Sequence, residues 1–150
     1  MIHLSQSRSS IIFEASDETL SIVHWGKRVE ALSNDGSQAL SAAVQKPHFH
    51  GGLDVAPRNL VLREHSRGFI GHPSLRGHRS GTAASNRFVL KSATQKEQTL
   101  VALFVDSIAE LEIELTYSLT PSDVLLIDGK VTNKGTTDYY LEHFLYWLPL

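Results

Sequence analysis

A chain of 150 residues is long enough for one domain with a hydrophobic core, and 41% hydrophobic with 20% charged residues is an ordinary globular composition. The chain has no cysteine, which excludes disulfides, thiolate metal centres and cysteine nucleophiles and gives no sign of an oxidising compartment. The net charge of −2 conceals a basic part, with twelve Lys and Arg against seven Asp and Glu over residues 1–96, and an acidic part, with two against nine over residues 97–150.

The N-terminal stretch "MIHLSQSRSSIIFE" has no apolar run of signal-peptide length, and no window approaches the about eighteen apolar residues that span a bilayer. A cytoplasmic protein without a membrane partner is the expectation. The basic residues are interleaved with Gly, His and Pro rather than arrayed on a helix face or among aromatic platforms, so nucleic acid is not an expected partner.

In chain order, "SIIFE" (10–14) and "TLSIVHWG" (19–26) are short, β-branched and aromatic, and separated by the polar turn "ASDE", which reads as an opening hairpin. "SNDGSQALSAAV" is turn-like at Asn34-Asp35-Gly36 and leaves room for a short helix. Periodicity then fails until Ser85, except for one candidate strand at 59–63. Segments 86–93, 99–107, 109–120, 124–133 and 138–150 read as strands at spacings near ten residues. Together they predict one all-β domain over residues 1–150, an antiparallel β-sandwich with a long loop excursion at about 46–87.

The segment "LEIELTYSL" carries the fold prediction. Leu111, Ile113, Leu115, Tyr117 and Leu119 alternate with Glu112, Glu114, Thr116 and Ser118, which gives a strand one buried and one wet face and suits no helix. Glu112 and Glu114, about 7 Å apart on the wet face, invite an acid/base reading, but charged residues on a solvated sheet face account for them more simply.

The excursion is longer than the about fifteen residues usual for a structureless loop, and it holds five of the eight histidines. Within it, "GFIGHPSLRGHRSG" (68–81) has four glycines, two histidines and two arginines. In "HFHGG", His48 and His50 share one face of an extended segment, and with Asp54, His65, His72 or His78 they offer a possible metal site. No spacing signature supplies the remaining ligands, so no metal and no cofactor is assigned. No G-x-S-x-G nucleophile elbow and no phosphate-binding loop is present.

"IVHWGKRV", "HSRGFIGHPSLRGHRSG" and the run "AELEIELTYSLTPSDVLLIDGKVTNKGTTDYYLEHFLYWLPL", in that order and spacing, resemble the N-terminal β-domain of the glycoside hydrolase family 36 α-galactosidases. The resemblance covers nearly the whole chain. It implies part of a β-supersandwich that precedes a catalytic (β/α)8 barrel carrying both catalytic aspartates. Retaining glycosidases need two carboxyl groups about 5–5.5 Å apart, and the family's two catalytic motifs have no counterpart in these residues. The resemblance therefore implies a non-catalytic domain that shapes the active-site rim and an oligomer interface of an enzyme acting on terminal α-galactosides.

By position, Asp54 in "GGLDVAP" is the residue to which the resemblance gives a substrate-binding role. Arg76, His78 and Arg79 follow, either at the substrate rim or as anchors that tie the loop to the acidic strands. Trp25, at the end of an apolar strand, reads as a packing residue. The implied partners are an α-galactoside, the catalytic barrel and further copies of the chain. The run 138–150, aromatic and nearly uncharged, reads as an unpaired adhesive edge. The alternative is a free-standing carbohydrate- or metal-binding β-sandwich of unrelated origin.

Overall fold

The computed structural model describes residues 1–16, 18–45 and 58–149. Three antiparallel sheets are built from nine strands among these residues. Strands β1 (Ile2–Ser5), β2 (Ser9–Ala15) and β3 (Leu20–Lys27) form the first sheet in that order. After helix α1 (Asn34–Ala43) comes the short strand β4 (Leu75–His78). Strands β5 (Val89–Lys96), β6 (Thr99–Asp106), β7 (Leu111–Leu119) and β8 (Leu125–Asn133) make a four-stranded meander. Strand β9 (Tyr140–Phe144) returns to pair with β4.

The alternation in β7 buries the side predicted: Leu111, Ile113, Leu115, Tyr117 and Leu119 are each at most 2% exposed. They join Leu100, Ala102 and Phe104 of β6, and across the interface they meet Leu4, Ile11, Phe13, Leu20 and Ile22 of the first sheet. The Phe13 and Tyr117 rings touch edge to face at 4.9 Å, which fixes the first sheet over the meander. Burying each side chain of this size stabilises the fold by roughly 1.5–3 kcal/mol. Trp25 packs on the same core. On the opposite face Glu114 is exposed, and Glu112 pairs with Lys134 at 3.5 Å, as residues of a solvated sheet face do.

Local chemistry closes the meander's turns. Asp106, at the end of β6, accepts from the backbone N–H groups of Ile108 and Ala109, both at 2.9 Å, and so caps its own hairpin. The short helix left open by the sequence forms, with Ser33 as its N-cap, its Oγ accepting from Gly36 N at 3.1 Å.

Two expectations are corrected. The excursion is not loop throughout, because β4 and a 3-10 turn (His65–Arg67) lie inside it, while the candidate strand at 59–63 is reduced to a single bridge between Leu60 and Ser21. The run 138–150 is not an unpaired edge. Its strand is only Tyr140–Phe144 and is hydrogen-bonded to β4, with Leu75 opposite Phe144 and His78 opposite Tyr140. Glycine permits this pairing: a Cβ on Gly77 would lie 2.5 Å from both the Tyr139 ring and the Tyr140 carbonyl oxygen.

Candidate functional site

The β4–β9 ribbon and the segments beside it carry most of the residues singled out in the sequence. Ser74 sits at their centre. Its N–H donates to the Arg63 carbonyl at 2.8 Å, its hydroxyl accepts from Arg63 N at 3.0 Å, and its carbonyl accepts from Leu145 N at 2.7 Å. Three stretches distant in sequence are thereby laid side by side.

Arg76, Arg79 and His78 engage different partners. Arg76 is exposed and reaches across the ribbon to Glu142, with Nε 2.8 Å from its carboxylate. His78 stacks on Tyr140 at 5.4 Å between ring centres and accepts from Gly81 N at 3.2 Å. Arg79 is turned inward. Its Nη2 donates to the Ala109 carbonyl at 2.9 Å and to Asn133 Oδ1 at 2.8 Å, and its Nη1 donates to the Thr137 carbonyl and to Thr137 Oγ1. Asn133 in turn accepts from Gly135 N at 3.0 Å and donates to the Thr137 carbonyl at 2.8 Å. The "HRSG" and "VTNKG" motifs, read separately in the sequence, form one clasp. Asp54, His48 and His50 lie outside the described residues.

Two buried carboxylates escaped the sequence reading. Glu64 accepts from Phe88 N at 2.6 Å and from Arg67 Nε at 2.9 Å. Burial raises its pKa, against the lowering effects of those two donors. Asp106 accepts from Arg87 N at 2.8 Å besides capping its turn. Both are occupied in holding backbone, so neither is arranged as an acid or base toward a substrate.

Arg63 also escaped notice. Its guanidinium carbon lies 3.4 Å from the centre of the Trp147 ring and 4.9 Å from that of Phe69. Burial lowers its pKa, as expected of a partly desolvated cation on aromatic faces. Trp147 was visible only as one aromatic in a long run. Among the described residues no group of three or more His, Asp or Glu is placed to hold a metal ion, and no helix is long and apolar enough to cross a membrane.

Residues 18–150 match the profile of the Glycosyl hydrolase family 36 N-terminal domain. The chain belongs to this family. An α-galactosidase from Escherichia coli is 29% identical over 147 residues, which make up 98% of this chain and 20% of that protein. The GH36 α-galactosidase AgaA from Geobacillus stearothermophilus in complex with raffinose superposes with a TM-score of 0.75 at 16% identity, over 97% of this chain and 24% of that one. The α-galactosidase from Lactobacillus brevis gives 0.63 at 18% identity, over 97% and 23%. The chain thus spans a fifth to a quarter of the relatives it matches, and the structural likeness confirms the β-sandwich fold.

Proposed function

We propose that this chain acts as the non-catalytic N-terminal domain of an α-galactosidase, shaping the rim of an active site that a companion barrel supplies. The family match over residues 18–150 carries this reading. It agrees with the chemistry of Glu64 and Asp106, the buried carboxylates among the described residues, which are occupied by backbone N–H groups and, at Glu64, by the Arg67 guanidinium as well.

Within the proposal, Asp54 contacts the galactoside, and Arg76 and His78 support the rim from the exposed side of the ribbon. Arg79 serves as an anchor, since its bonds all run to the domain's own turns. Exposed Tyr140, Leu141 and Leu145 on and beside β9 give the ribbon an apolar surface suited to the barrel and to a second copy of the chain.

Incubating the purified chain with a nitrophenyl α-galactoside tests the first part. No nitrophenol release above a blank is expected, and release that follows the chain through repurification contradicts the reading. Light scattering tests association, because a concentration-independent monomer of 16.6 kDa removes the proposed contact between copies.

A further inference from the structure

Six arginines lie between residues 58 and 87, and five of them are matched. Arg58 pairs with Glu14 at 2.9 Å, Arg67 with Glu64 at 2.9 Å, Arg76 with Glu142 at 2.8 Å and Arg87 with Glu18 at 3.1 Å, while Arg79 is bound to carbonyl and amide oxygens. Arg63 stands apart: among the described residues its guanidinium has neither an ion pair nor a hydrogen-bond acceptor, and it lies against the two rings. We propose that Arg63, with Trp147 and Phe69, forms an open binding site for a carboxylate.

The two rings lie 3.4 and 4.9 Å from the guanidinium carbon, and among the described residues no acceptor engages its N–H groups, the part that matches two carboxylate oxygens. The residue is also held in place beforehand. Its backbone is hydrogen-bonded in both directions to Ser74, and Ser74 holds Leu145, which brings Trp147 alongside. Phe69 is fixed by a tight loop in which its N–H donates to the Glu64 carbonyl at 3.2 Å and His65 Nε2 bonds the Gly71 carbonyl at 2.9 Å. A Cβ on Gly71 would lie 2.7 Å from the Phe69 ring, so the ring occupies that space. Binding there orders little that is not already ordered.

Beside the stack the loop presents Ile70, 98% exposed. A carboxylate carried next to an apolar group fits this pairing of a cation with an apolar tip. It can come from a free dicarboxylate or from a Glu or Asp side chain of a polypeptide. The chemistry at Arg63 is the same in both cases, and the inference does not depend on the galactosidase reading.

Nuclear magnetic resonance of the full chain separates the sources. Succinate, a capped Leu-Glu-Leu peptide and galactose are titrated at constant ionic strength while the Arg63 Nε–H and Trp147 indole N–H signals are followed. Saturable shifts with succinate or with the peptide are expected and none with galactose. The tighter of the two identifies the source. Arg63→Lys keeps the charge but loses the fork, and is expected to bind about tenfold more weakly. Arg63→Gln is expected to abolish the shifts. Shifts with galactose alone, no shift with either carboxylate, or carboxylate shifts of equal affinity in folded Arg63→Lys would overturn the proposal.

Discussion

Arg79 Nη2 donates to Asn133 Oδ1 at 2.8 Å, joining the end of β4 to the end of β8 across 54 residues of sequence. The same nitrogen reaches the Ala109 carbonyl in the β6–β7 turn, so a single side chain gathers three chain reversals. The Arg79→Lys substitution keeps the charge and loses the planar fork, and is expected to cost about 2–3 kcal/mol in urea unfolding. A double-mutant cycle with Asn133→Ala should show a coupling of about 1 kcal/mol. Strictly additive effects would show that the two residues act independently.

Residues 79–82 form a two-residue hairpin turn, with Arg79 and Thr82 exchanging backbone hydrogen bonds at 2.8 and 2.9 Å. Ser80 and Gly81 both have positive φ, 49° and 85°, the geometry of a type I′ turn that favours Asn-Gly. The Ser80→Asn substitution should therefore raise the unfolding free energy by about 0.5 kcal/mol. A fall in the thermal midpoint would contradict that assignment.

The carboxylate of Asp123 accepts from Arg8 N at 3.0 Å, from Ser9 N at 2.9 Å and from the Ser7 and Ser9 hydroxyls at 2.8 Å, which ties the β1–β2 turn to the β7–β8 turn. These donors, Arg8 N foremost, hold its pKa well below the ordinary 3.8. A carboxyl depressed on folding stabilises the native state above its unfolded value and loses that contribution as the pH falls below 3.8 toward the folded value. Asp123→Asn tolerates the positive φ of 63°, removes the titrating charge and keeps one accepting oxygen for the Arg8 and Ser9 N–H groups, while an NH2 donor replaces the oxygen that accepts from Ser7. Its urea midpoint should change less than the parent's between pH 5 and pH 2. Parallel curves would remove Asp123 from the acid response.

What the sequence made legible followed from local pattern. The alternation of β7 and the strand-like segments spaced near ten residues apart identify the meander because each is decided within a few residues. Strand β1, four residues of mixed character, lacks such a pattern and is stabilised by pairing with β2. Strand β4 was hidden for the opposite reason: its glycine and charges read as loop, and it becomes a strand because β9, more than sixty residues later, pairs with it. The clasp and the Arg63 stack depend on the same long-range pairing. The sequence showed their parts, and only the fold shows that Arg79 faces its own turns while Arg63 is left open.

The central claim, that this chain is a working N-terminal domain of an α-galactosidase, is tested most directly by exchange. The corresponding segment of the Escherichia coli α-galactosidase, which is 29% identical over 147 residues, is replaced by this chain, and nitrophenyl α-galactoside hydrolysis is compared with that of the same enzyme lacking the segment. The account predicts a folded chimera that hydrolyses the galactoside well above the deleted enzyme. A folded chimera no more active than the deleted enzyme would contradict it.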